Sequence, residues 1–349
     1  MENRWITSLI AACIHTASQA GTGLMELPGL EGDGPVTVFY PSSGADEPVQ
    51  RGPFQLQLAW RAPAVQGNGR LLVITHGSGG NPWVHTDLAR AMVAAGFVVA
   101  LPEHAGDNVK DPSTPGPESW KRRPPEVSRA IDAVARDNRL APLLDLNKVG
   151  VFGGSAGGHT ALSFAGGAWS PARFRQHCEA HIADDFSSCV GFITRLHGNL
   201  LDGLKKWFAL AVIRHRFGDD TAYTHQDPRV QATVASVPFA ADFDMASLVR
   251  PRIALGLVTA GMDVNQVPRF HSSAVLAACQ ERCTHVAHLP GASHGAMLSP
   301  MPPLHLLNDV QTALLGDPPG FDRNVLPEVD ARIVDFFAQH LQPLPVPQR

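Results

Sequence analysis

Gly153-Gly154-Ser155-Ala156-Gly157 places a serine between two glycines at G-x-S-x-G spacing. Lys148 to Phe152 before it reads as a short buried strand, and His159 to Ala165 after it reads as a helix. A serine on a sharp strand-to-helix turn has its hydroxyl pushed into solvent, while small neighbours keep bulk away from an approaching substrate. The stretch therefore points to a nucleophilic serine in an α/β protein. Other glycine-rich turns compete with that reading. As G-x-x-x-x-G-K-[ST], the run Gly153 to Thr160 has His159 where the phosphate-binding lysine belongs. The dinucleotide pattern G-x-G-x-x-G fits from no starting glycine, and a purely structural turn is the remaining alternative.

Outward from the turn, the chain alternates apolar runs with helical spacing. Leu71 to Thr75 and Phe97 to Leu101 are continuous apolar runs flanking a helix over Asp87 to Ala95, an order that implies parallel strands buried on both faces. A helix over Glu126 to Arg136 leads into the strand before Ser155. Later strands fit Val230 to Val237, Arg252 to Thr259 and His285 to Leu289, with a helix over Pro268 to Cys279. Pro35 to Tyr40 and Phe54 to Trp60 read as an antiparallel start joined by a Pro/Gly/Ser loop. The expected fold is a doubly wound, mostly parallel α/β sheet with helices on both faces and sites at the C-terminal strand ends.

Residues 170–224 break the rhythm and are too long for a simple connection. They read as a helical lid insertion in a single domain spanning 21–349, with Trp207, Phe208, Leu210 and Ile213 expected to pack. Residues 1–20 read as a leader or signal segment: Arg4, an apolar stretch from Trp5 to Ile14, then small residues to Ala20. Glu2, Thr7 and Ser8 weaken that pattern, Met25 is an alternative start, and Ile10 to Cys13 resembles a lipoprotein box. No stretch approaches the roughly eighteen apolar residues of a membrane span.

A chain of 349 residues with 44% hydrophobic content can bury a large core, and with a net charge of -4 and no long basic run nothing suggests a nucleic-acid surface. Lys121-Arg122-Arg123 is read as a solvated loop or helix start. Beyond Cys13, Cys178 with Cys189 and Cys279 with Cys283 form two local pairs that suit disulfides, buried free thiols being the alternative. That pairing favours a periplasmic or secreted location over the cytoplasm. A zinc site is disfavoured, because C-x-x-C is absent and His177, His181 and His285 lack a matching set. His177 and His181 read as a solvated helical face.

A serine nucleophile needs a base and an orienting carboxylate. Among 16 histidines, His294 lies in a glycine-flanked loop after the last strand and is the expected base. Asp263 follows the strand Arg252 to Thr259, which sets the order Ser155, Asp263, His294. Asp242 and Asp244, after the preceding strand, compete for the acid. His76-Gly77-Ser78-Gly79-Gly80 follows the strand Leu71 to Thr75, so the amides of Ser78 and Ala156 are the expected oxyanion donors. His76, Gly77 and His104 are expected near the pocket, and Trp83 and Trp120 in packing. Asp107 and Asn108 are expected to hydrogen-bond their own loop.

This set resembles the α/β-hydrolase superfamily. The stretches Ile74 to Gly80, Pro102 to Asn108, the Ser155 turn, Asp227-Pro228-Arg229 and Leu289 to His294 are most similar to its dienelactone-hydrolase-like branch, with platelet-activating-factor acetylhydrolase-like esterases. The resemblance covers about Pro35 to Leu298. It implies a carboxylic ester hydrolase acting on a small-molecule ester through a serine acyl-enzyme, without metal or organic cofactor. Dienelactone hydrolases carry cysteine at the turn, so Ser155 argues against dienelactone as substrate. An amidase or acyltransferase with the same triad, and a catalytically silent binding scaffold, are the alternatives.

Overall fold

The computed structural model describes residues 21–342 and Leu344, so the expected leader, Cys13 and most of the proline-rich tail lie outside the described residues. The chain opens with β1 (Gly21–Leu27), β2 (Val36–Ser42), β3 (Glu47–Arg51) and β4 (Phe54–Trp60). Then come β5 (Leu71–Thr75), α1 (Thr86–Ala94), β6 (Val98–Pro102), α2 (Pro117–Arg136), β7 (Val149–Gly154) and α3 (Ala156–Phe164). A two-residue β8 (Ala168–Trp169) precedes the expected insertion, which holds α4 (Pro171–His181), α5 (Phe186–Cys189) and α6 (Leu201–Arg216). The chain continues through β9 (Val230–Ser236), β10 (Phe243–Asp244), β11 (Ala254–Ala260), α7 (Ser272–Cys279) and β12 (Thr284–Leu289), and closes with α8 (Asp309–Leu315) and α9 (Leu326–Leu341).

Among the described residues, ten strands form one sheet in the order β12-β11-β9-β7-β5-β6-β2-β1-β4-β3. From β12 to β6 every neighbour is parallel. The period-2 alternation of strand side chains supplies two cores. Leu72, Ile74, Phe152 and Val234 face α1 and α9, whereas Leu71, Val73 and Val151 face α2. Five-residue β5 is buried throughout, which is why it reads as an unbroken apolar run. This is the α/β-hydrolase fold.

Four details differ from expectation. Strands β2 and β4 do not pair with each other, because β1 lies between them, antiparallel to β2 and parallel to β4. The expected loop before β4 contains β3. Helix α2 starts at Pro117 and carries Pro124 and Pro125 inside it, so prolines that read as a terminus are instead interior positions without a backbone donor. In α6, Ile213 packs inward, but Trp207 and Phe208 are exposed at 66% and 63%. Helical spacing identifies a face; it does not say whether that face meets a partner.

Both cysteine pairs are joined: Cys178–Cys189 ties α4 to α5, and Cys279–Cys283 bridges the end of α7 to the start of β12. No helix among the described residues is long and apolar enough to cross a membrane.

One buried acid makes stability depend on pH. Asp330 in α9 has no hydrogen-bond partner among the described residues, and burial, with Asp87 nearby, pushes its carboxyl up to about 7. Its unfolded value is about 3.9. The folded state therefore binds the proton more tightly, so the ionisation cost is absent below about pH 4, grows from there and is complete above about pH 7. Asp330→Asn is expected to stabilise the chain by about 1–3 kcal/mol more at pH 8 than at pH 4. Urea unfolding at the two pH values measures this, and equal gains would acquit Asp330.

Candidate active site at the strand ends

Ser155 sits between β7 and α3 at φ 55°, ψ -117°, a left-handed conformation that a side chain rarely adopts. Backbone hydrogen bonds clamp it there: its N–H donates to the Ser236 carbonyl at 3.0 Å, and its carbonyl accepts from the N–H groups of His159 and Phe239. Two glycines are required by close approach. A Cβ on Gly157 would collide with the Thr75 carbonyl, and one on Gly153 with the Gly157 carbonyl. The small residues of G-x-S-x-G thus let the turn pack against the end of β5.

Asp263 and His294 come from the loops after β11 and β12. The Gly261 and Met262 amides donate to the carbonyls of Leu289 and Ala292, both at 2.9 Å, which fixes one loop against the other. His294 Nε2 lies 3.0 Å from Ser155 Oγ, and its Nδ1 lies 2.7 Å from Asp263 Oδ2. The second Asp263 oxygen accepts from the amides of Asn265 and Gln266. Burial pushes the Asp263 carboxyl up, but the His294 ring and those two amides outweigh it and hold it below the usual carboxylate range. An ionised carboxylate only accepts, so Nδ1 carries the imidazole proton and Nε2 presents its lone pair to the serine hydroxyl.

The competing acids lie elsewhere. Asp242 pairs with the buried His159 at 3.0 Å, inside a cage of Trp120, Trp169 and Phe243. Asp244 caps Ala246 and pairs with Arg173.

The loop after β5 lies beside Ser155: a Cβ on Gly77 would stand 3.4 Å from the Ser155 Cβ. The amides of Ser78 and Ala156 have no acceptor among the described residues. What orients this loop is Arg123, one of three basic residues that read as solvated. Its side chain is fully buried, its guanidinium donates to the carbonyls of His76 and Gly77, and it pairs with Asp107 at 2.8 Å. Asp107 also accepts from Ser78 Oγ at 2.5 Å and from the Gly79 amide at 3.1 Å. Burial raises its carboxyl, but Arg123 and the hydroxyls of Ser119 and Ser78 prevail and lower it. The carbonyls are drawn to the arginine, which turns the loop's remaining amides away from it.

His76 and His104 stand behind this loop, fully buried, rather than along an open cleft. His76 Nδ1–H donates to the Gly77 carbonyl at 2.7 Å and Nε2 accepts from the His104 amide at 3.3 Å. His104 bridges Thr75 and Glu126, both at 2.6 Å. Burial holds both imidazoles well below their ordinary range, with Arg123 adding to it, and raises Glu126. Asn108 donates to the His104 carbonyl. Trp83 packs partly buried against the core, and Trp120 stacks on Phe239.

Phe192 and Gln266 join the site without any signal in the sequence pattern. Phe192, itself at φ 60°, brings its ring to 5.7 Å from His294, and Gln266 Nε2 lies 3.2 Å from Ser155 Oγ. His177 is not a solvated face residue, since it is bound to the buried Asp185 at 2.8 Å. No group of three or more His, Cys, Asp or Glu side chains suited to a metal occurs among the described residues.

No protein-family model matches this chain. No curated protein is similar to it in sequence. Solved structures are similar. One is a ferulic acid esterase from Streptomyces cinnamoneus, 15% identical, with 96% of this chain and 94% of that chain covered at a TM-score of 0.56. At that identity the likeness carries the fold and leaves the chemistry to the residues.

Proposed function

We propose that this protein is a serine hydrolase of carboxylic esters, with Ser155 as nucleophile, His294 as general base and Asp263 as its orienting acid. The observation that carries the reading is the continuous hydrogen-bonded path Ser155 Oγ, His294 Nε2, His294 Nδ1, Asp263 Oδ2. Ser155 Oγ attacks the ester carbonyl while its proton passes to His294 Nε2. The amides of Ser78 and Ala156 receive the oxyanion. His294 then protonates the departing alcohol, and water, deprotonated by the same imidazole, releases the acid from the acyl-enzyme.

The fold shared with a ferulic acid esterase supports an ester as the bond cleaved. The quoted motifs favour the dienelactone-hydrolase-like branch with a serine nucleophile. Helices α4 to α6, within 170–224, act as the lid of a single domain, and the segment ending at Phe192 is the part that reaches His294.

The test is covalent labelling with a fluorophosphonate, followed by mass-spectrometric location of the adduct and a panel of p-nitrophenyl esters of graded chain length. The expected result is one adduct on Ser155 and measurable ester turnover. A folded protein that neither reacts nor turns over any ester would be a silent scaffold; turnover confined to matched amides would make it an amidase.

A further inference from the structure

Gln266 follows Asp263 by three residues and is buried. Its backbone N–H donates to Asp263 Oδ1 at 2.9 Å, and its side-chain Nε2 lies 3.2 Å from Ser155 Oγ. One residue thus touches both ends of the triad. Hydrogen counting orients its carboxamide. Ser155 has a single hydroxyl hydrogen, directed at His294 Nε2, so Oγ faces Gln266 with a lone pair and Nε2–H is the group that can meet it. The other carboxamide atom, Oε1, is buried without a partner among the described residues. An unpaired buried acceptor destabilises a fold, and an apolar side chain of similar size would avoid it. Packing alone therefore does not account for a glutamine here.

We propose that Gln266 is a fourth catalytic group, whose Nε2–H stabilises negative charge on Ser155 Oγ. This rests on the serine-hydrolase reading above. In acylation the Oγ–H proton goes to His294 as the Oγ–C bond forms. In deacylation water adds to the acyl carbon and gives its proton to His294, the C–Oγ bond breaks, and the same proton returns to Oγ. Gln266 loses no proton in either step; its N–H faces the oxygen on which charge appears, before bond formation and after bond cleavage.

The experiment compares Gln266→Leu and Gln266→Met with the wild-type chain in three measurements: kcat and KM on p-nitrophenyl butyrate, the rate of fluorophosphonate labelling, and Tm. The expected result is a fall of about 10- to 100-fold in kcat and a parallel fall in labelling rate, with KM changed less than about 3-fold. Tm should be unchanged or higher, because the orphaned acceptor is gone. Unchanged kcat in a folded variant overturns the proposal. So does a large loss of Tm in both variants, which would make Gln266 a structural residue. A wild-type chain that is neither labelled nor active would overturn the hydrolase reading itself, an outcome visible before any variant is made.

Discussion

Ser155→Ala is expected to lower ester turnover by about 10⁵- to 10⁶-fold while leaving the fold intact. The size follows from the triad acting as a unit. Without Oγ the imidazole has nothing to deprotonate, and no acyl-enzyme can form. What remains is the oxyanion site and substrate binding, which by themselves give about 10³- to 10⁴-fold over water. Alanine keeps the Cβ and hence the same left-handed strain at φ 55°. The lost contacts are those to His294 and Gln266, so Tm should stay within about 1–2 °C, the shift that roughly 1 kcal/mol produces in a chain of this size. Circular dichroism and steady-state kinetics on one preparation decide the matter. A folded Ser155→Ala chain that keeps a tenth of its activity would mean another nucleophile.

Arg123→Met should be the most damaging single change away from the triad, costing about 3–5 kcal/mol of stability together with most of the activity. Methionine is apolar and of comparable length, so the change removes charge and donors more than volume. It leaves Asp107 buried without its cation, the His76 carbonyl without its donor and the Gly77 carbonyl with one donor fewer. Asp107 would then protonate or draw in water, and the loop carrying the Ser78 amide would lose the pull that orients it. The double variant Arg123→Met/Asp107→Leu separates the two effects. Removing both charges should restore much of the stability, because a buried ion pair is often replaceable by apolar groups. Turnover should stay low, since neither side chain binds the loop carbonyls. Urea unfolding and kcat on the three proteins read this out; full activity in the double variant would show that the pair does not position the loop.

Most of the sheet was legible in the sequence because parallel strands buried on both faces have no polar positions to blur them. Strands β5 and β6 and the core of β7 follow from apolar runs alone. The edge was less legible. Strands β1 and β3 have short or mixed patterns, and β3, mostly exposed, alternates too weakly to stand apart from a loop. Only the second half of helix α2 is legible in the sequence, because Pro124 and Pro125 look like a boundary, whereas tertiary packing outweighs their propensity.

For the site, the order Ser155, Asp263, His294 and the glycine loop at His76 to Gly80 could be proposed from position alone, since strand ends in this architecture collect at one edge. Position favours Asp263 but does not exclude Asp242 and Asp244. All three follow strands, and only the fold pairs one with His294, another with His159 and the third with Arg173.

The amino-acid sequence by itself thus determined the sheet's parallel core, the turn that presents Ser155 and the loops that hold its partners, because these depend on local periodicity and on glycines where the backbone must approach closely. Only the tertiary structure decided that Arg123 is buried rather than solvated, that His76 and His104 stand behind the glycine-rich loop after β5, and that Gln266 meets Ser155. The physical reason is the same in each case: a charge or amide acquires its role from partners distant in sequence, such as Arg123 from His76 and Gln266 from Ser155, and no local pattern encodes that pairing.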